Sequence, residues 1–198
     1  MADAAKFAGK VYIVTGGTQG IGRAVAMALA EAGAEAHYVH ADLTLSDDCR
    51  AVTAACDARF GRLDGLVNVA GDNQAGGIDD ATIELWDHMF AVNVRAPFIM
   101  MQGAIAIMRR EGIQGSIVNV VSMVSHGGNR MFGIYSVTKG ALATLTKNVA
   151  QAVRSERIRV NGLNPGWADT PGEHAARSPP ASPRTGCKRP RRRSPSVS

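Results

Sequence analysis

The sequence predicts an α/β protein with a parallel β-sheet and crossover helices. Short apolar runs alternate with longer helical patterns along the chain, and the first such run enters its helix through a glycine-rich turn. Composition agrees: 45% hydrophobic, 20% charged and 5% aromatic residues argue against full-length disorder, a collagen-like fibre or a disulfide scaffold. The 22 glycines in 198 residues exceed the usual share of about 7% and point to tight turns or close backbone approach to a ligand.

The elements follow in order. Residues 11–15 read as a buried strand, 16–20 as a turn, and 21–32, rich in Ala and Leu, as a helix stopped by Gly33. A second strand is expected at 36–40. Ser46 can N-cap a helix running to Phe60, and 65–70 is the next apolar strand. A long helical pattern starts near Asp79 and continues to Arg110, bent near Pro97, whose ring removes a donor and crowds the preceding turn. Residues 116–122 read as a strand, 135–154 as a helix and 158–163 as the last strand.

One domain is expected over residues 1–172. Residues 173–198 hold five of the eight prolines and no Val, Leu or Ile except Val197, so this basic Pro/Arg/Ser-rich tail is expected to be disordered. Of 22 basic and 17 acidic residues, seven and one lie in the tail, which leaves 15 and 16 in a nearly neutral body. The basic run 188–193 lacks interleaved aromatics, and no nucleic-acid partner is assigned to it. Three cysteines without C-x-x-C spacing fit a reducing compartment. His37 and His40 are three apart in a strand-like run, facing opposite ways, and no metal site is expected. The first ten residues lack an apolar h-region, and no run reaches the roughly 18 apolar residues of a membrane span, so a cytoplasmic protein without a membrane partner is expected.

Two motifs carry chemistry. Thr15 to Gly22 reads T-G-G-T-Q-G-I-G between a strand and a helix. There, glycines let the backbone approach a pyrophosphate, whose charge is favoured by the helix N-terminus; a tight strand-to-helix turn alone would use the same glycines. Tyr135 and Lys139, at i and i+4, share a helix face. An ammonium about 4 Å from a phenol at an effective dielectric of 20 contributes about 4 kcal/mol, or about three pKa units, before solvent weakens it. Such a phenol approaches the range where acid–base transfer works best. Ser122 ends a strand thirteen residues earlier; it could put a second hydroxyl beside the phenol or bond its local backbone.

Together these residues resemble the short-chain dehydrogenase/reductase family. The resemblance runs through T-G-x-x-x-G-I-G, Asp42-Leu43-Thr44, the N-V-A-G segment Asn68 to Gly71, Asn93 in V-N-V, Ser122, Tyr135-x-x-x-Lys139, and Asn164-Pro165-Gly166 followed by Thr170. It implies a Rossmann-like doubly wound parallel sheet and an NAD(P)-dependent oxidoreductase that interconverts a small-molecule secondary alcohol and a ketone. By the same resemblance Tyr135 exchanges a proton with the substrate oxygen, Ser122 orients that oxygen, Lys139 lowers the tyrosine pKa and holds the ribose, and Asn93 supports a water-linked relay. Gly16, Thr18, Gln19, Gly20, Ile21 and Gly22 would hold the pyrophosphate. Asp42 and Leu43 match adenine contacts, with Asn68, Ala70 and Gly71 in the neighbouring loop, and Pro165, Gly166 and Thr170 frame the nicotinamide. Helices over 79–110 and 135–154 resemble the family's pairing surface, implying a homodimer or homotetramer.

The chain departs from the family pattern twice. Twenty residues separate Gly22 from Asp42, whereas a strand–helix–strand unit needs about 30. The family's second strand and its helix are therefore missing, and a truncated sheet of family order 3-1-4-5-6 is expected. That loss removes the segment that separates NAD from NADP; Arg23 is the remaining candidate for a 2′-phosphate. After Thr170 the substrate-covering region is also missing, which leaves Val124, Ser125 and His126 as candidate pocket residues. The alternative reading is a catalytically impaired remnant that folds and binds nucleotide poorly.

Overall fold

A computed structural model describes residues 6–166 and 168. Four strands, β1 (Tyr12–Val14), β2 (Gly65–Asn68), β3 (Ser116–Val120) and β4 (Arg159–Leu163), form one parallel sheet in the order β1-β2-β3-β4. The helices are α1 (Gly20–Glu31), α2 (Ser46–Phe60), α3 (Ile83–Phe90), α4 (Ala96–Arg110) and α5 (Gly133–Ala152). All parallel neighbours are joined by helical crossovers, as the alternating sequence pattern requires. The tail, residues 173–198, lies outside the described residues.

The core is aliphatic and rich in methionine. Leu63, Leu66, Met100, Met101, Met108 and Ile117 are almost wholly buried where α2 and α4 pack with the sheet. On α2, Cys49, Thr53 and Cys56 recur at helical spacing and form its buried face. Gly103 of α4 lets the two helices close: a Cβ there would stand 2.8 Å from Thr53 Cβ and 2.9 Å from its Cγ2. At the N-terminal end of the sheet Asp64 accepts bonds from Arg62, Lys10 and the Val11 N–H. Burial alone would raise its pKa, but these donors hold it below the usual carboxylate value.

Four expectations are corrected. Residues 36–40 form no strand: Tyr38 is 68% exposed, and the Tyr38 hydroxyl lies 3.5 Å from His40 Nδ1. The stretch between α1 and α2 carries no crossover helix, so the alternating residues have no layer to bury against. The third helical column, expected from Asp79, begins at Ile83, where Thr82 Oγ1 accepts from the Leu85 N–H, while Asp80 Oδ1 accepts from the Gly77 N–H. Its irregularity precedes Pro97, as a π turn over Ala91–Arg95. Proline at 97 donates no bond and crowds the carbonyl of residue 93, and the wider turn makes room for it. Ser46 is the first residue of α2 rather than its cap, the cap position being Leu45.

By length and composition the column Ile83–Arg110 is apolar enough to cross a bilayer, contrary to the reading of the bare sequence. Here that column packs against α2, β2 and α5.

Gly103→Ala is expected to destabilise the fold by about 1–3 kcal/mol, read from the urea midpoint, and Thr53→Ala in the same chain to recover part of the loss. A neutral Gly103→Ala would contradict this packing.

Candidate active site

The C-terminal ends of β1, β2 and β3 open onto a cavity of about 400 Å³. Its first wall is the turn from β1 into α1. Thr15 Oγ1 accepts from the Val69 and Ala70 N–H groups at 3.0 and 3.1 Å, pinning the loop after β2 against the end of β1. Gly16 has φ +68° and lies where a Cβ would come within 3.1 Å of the Ala70 backbone. A Cβ on Gly22 would collide with the Gly16 carbonyl, so the helix can start this close to the turn only with glycine there. The first turn of α1 holds no acidic side chain, and Gln19 at its cap makes no side-chain capping bond. The positive helix end therefore faces the cavity without a competing carboxylate, which suits a bound phosphate.

The opposite wall comes from β3 and α5. Ser122 follows β3 in extended conformation, its Oγ accepting from the Val124 N–H at 3.4 Å. Tyr135 and Lys139, in the first turns of α5, line the same cavity. Lys139 is 3% exposed; its Nζ donates to the Val120 carbonyl at 2.8 Å and lies 5.7 Å from the Tyr135 ring centre. Burial pulls its pKa down from 10.5 to about 8. The amine can thus lend positive charge to the phenol at neutral pH, but in the cofactor-free site that charge fades above about 8.

Of the cofactor residues expected from the sequence, Gly16, Thr18, Gln19, Gly20, Ile21, Gly22, Ala70, Gly71, Tyr135, Lys139, Pro165 and Gly166 line the cavity. Asn68 does not: its Nδ2 donates to Asn119 Oδ1, Asn119 Nδ2 donates to Thr146 Oγ1, and this buried ladder ties β2 and β3 to α5. Asp42 and Leu43 also stand off the cavity. Asp42 Oδ1 accepts from the Thr44 hydroxyl and N–H, bonds that lower its pKa, while its own N–H donates to Asp48 at the start of α2. Leu43 packs against the core. Thr170 lies outside the described residues.

Asn93, fully buried in the π turn, lies behind the cavity wall. Its side chain bonds the Asp72 N–H, the Asp72 carbonyl and Thr138 Oγ1. Thr138 in turn donates to the Tyr135 carbonyl at 2.8 Å. Sequence reasoning missed Thr138, although its place between Tyr135 and Lys139 was a usable signal. It also missed Asn73, Met123, Asn129 and Phe132, which line the cavity from loops with no motif spacing. Of the three pocket candidates after Ser122, Val124 lines the cavity and Ser125 and His126 do not.

Comparison with known proteins agrees with this geometry. The family model described as short chain dehydrogenase matches residues 31–181. The chain belongs to the short-chain dehydrogenase/reductase family. It is 35% identical over 179 residues to the short chain dehydrogenase adrF of Penicillium rubens, covering 81% of this chain and 70% of that one. The oxidoreductase YgcW of Escherichia coli is 35% identical over 195 residues, with 87% and 74% covered. The crystal structure of a short-chain type dehydrogenase/reductase from Mycobacterium marinum superposes with a TM-score of 0.80 at 28% identity, covering 85% of this chain and 76% of that one. This short-chain dehydrogenase/reductase is accordingly an oxidoreductase with a Rossmann-like fold, of a family that typically uses NAD or NADP.

The buried amine makes a pH test in this short-chain dehydrogenase/reductase. Between about 8 and 10.5 the unfolded chain holds a proton on Lys139 that the folded chain has released, so this group makes stability rise with pH across that window. Relative to Lys139→Met, the native chain should gain up to about 3 kcal/mol over the same interval, measured by urea unfolding. Parallel curves for the two proteins would contradict the burial.

Proposed function

We propose that the chain interconverts a secondary alcohol and a ketone with NAD or NADP. The observation that carries this reading is that Ser122, Tyr135 and Lys139 line the same cavity as the glycine turn at α1. The residues fit a dinucleotide: the turn is open only because Gly16 and Gly22 lack side chains, and the helix end behind it is free of acidic groups. Gly16 to Gly22 would hold the pyrophosphate, and Lys139, Pro165 and Gly166 the nicotinamide end. When bound, the cofactor supplies or accepts the hydride.

The chain's own residues handle the proton and the geometry. The Tyr135 hydroxyl gives a proton to the carbonyl oxygen in reduction and takes it back in oxidation. The Ser122 hydroxyl donates to the same oxygen and orients it. Lys139, as an ammonium, favours the phenolate left on Tyr135. Met123, Val124 and Phe132 make the cavity beside these groups apolar, which suits a carbonyl flanked by hydrocarbon. The exposed faces around Trp86, Phe98 and Val137 on α3, α4 and α5 favour pairing with a second copy.

A second reading, an impaired remnant, draws on a different observation: among the described residues β1 pairs with β2 alone, and residues 36–40 form no strand. In that case the adenosine end of the cofactor is poorly held. Fluorescence titration of the full chain with NADH and NADPH separates the two. The proposed enzyme shows saturable binding of at least one, and turnover on a panel of cyclic and open-chain ketones. An L-fucose dehydrogenase from rabbit, 31% identical over 202 residues, adds a sugar to the panel. Tyr135→Phe should lower kcat by about 10²–10⁴ with cofactor affinity little changed. Lack of binding to either nucleotide, or full activity of Tyr135→Phe, would overturn the proposal.

A further inference from the structure

Residue 72 is gripped by two side chains of one helical column. Asn93 takes its backbone: Oδ1 accepts from the Asp72 N–H and Nδ2 donates to the Asp72 carbonyl, both at 2.8 Å. His88, five residues earlier, takes its side chain, with ring Nε2 2.8 Å from Asp72 Oδ2. A carboxylate oxygen here accepts, so the imidazole N–H donates. In an unbroken α-helix five residues turn about 500°, leaving the two side chains about 140° apart around the axis. The π turn Ala91–Arg95 widens the column at Asn93 and brings both side chains onto one residue.

The gripped residue organises the loop beyond it. Asp72 Oδ1 accepts from the Gln74 N–H at 3.0 Å and Oδ2 from the Gln74 side-chain amide at 2.6 Å. Gly71 and Asn73, on either side, both line the cavity. A Cβ on Gly71 would stand 3.1 Å from Asn93 Oδ1 and 3.3 Å from Lys139 Nζ, so the loop, the asparagine and the buried amine converge there. His88 stands outside the cavity with its side chain 42% exposed.

We infer that the His88–Asp72 pair positions the active site: it fixes the 71–74 loop against Asn93 and thereby sets the wall next to Lys139 and the nicotinamide end. The inference rests on the reading under Proposed function. His88 acts through Asp72 and touches neither substrate nor cofactor, so it is a positioning residue. Without its donor the Asp72 side chain loses its bond to α3, and Asn93 holds the residue through its backbone.

The test uses the full chain with His88→Ala and His88→Gln, the latter keeping a side-chain N–H donor. Steady-state kinetics and amide hydrogen exchange of residues 71–74 are read together. In His88→Ala, kcat should fall about tenfold with the cofactor KM within about twofold of the parent, and the Asp72 and Gln74 amides should exchange about tenfold faster. His88→Gln should restore most of both. A purely structural role would lower the unfolding midpoint without this split between kcat and KM. Parental kcat in His88→Ala, or His88→Gln behaving as His88→Ala, overturns the inference. Should the parent chain neither bind nor turn over NAD(P)H, the functional reading fails, and exchange alone decides the clamp: faster exchange in His88→Ala supports it and unchanged exchange overturns it.

Discussion

The site depends on one buried amine. Lys139 Nζ donates to the carbonyl of Val120, the last residue of β3, and so ties the first turns of α5 to the strand end from which Ser122 emerges. With the Asn119–Thr146 bond farther along, it holds together the two elements that carry the hydroxyls. It also costs the lysine part of its charge, since an ammonium with few polar neighbours is disfavoured by burial. The result is a group whose charge is available at neutral pH and is easily withdrawn. Around it the nearest polar atoms are supplied by backbone and by amide or hydroxyl side chains, Asn93 and Thr138 among them.

Much of this was legible in the sequence because the informative residues obey local rules. The glycine turn, the i, i+4 pairing of Tyr135 with Lys139, and the apolar strands each depend on neighbours within a few residues. All four strands that formed were expected within two residues of their observed ends or less, and the fold class followed from their alternation with helices. What was not legible depended on distant partners. The alternation at 36–40 reads as a strand, but pairing is a tertiary event, and no crossover helix covers that stretch. Asn68 matches a cofactor-loop motif in sequence yet spends its amide on Asn119, a partner fifty-one residues away. A bend near Pro97 was expected, but its form as a π turn upstream of the proline, and the grip of Asn93 on residue 72, needed the fold.

The shortened sheet divides the molecule unequally. β3 and β4, with α5 across them, keep the elements that hold Ser122, Tyr135 and Lys139 in register. On the other side β1 is, among the described residues, an edge strand, and the stretch that follows α1 lies exposed. The pyrophosphate end is better preserved, because the turn is pinned to β2 through Thr15 and shaped by Gly16 and Gly22. Loss of affinity for the adenosine half would thus leave the geometry at the reacting end largely intact, a separation that follows from where the sheet is cut. Met123, Asn129 and Phe132, which the motifs do not constrain, line the same cavity.

The most direct measurement of the central claim is a ¹⁵N NMR titration of the Lys139 side-chain nitrogen in the full chain, with and without saturating NADPH or NADH. The expected result is a midpoint near 8 in the free protein that moves when the nucleotide enters the cleft. An ordinary lysine midpoint near 10.5, unmoved by either nucleotide, would contradict both the burial of the amine and its place beside the cofactor.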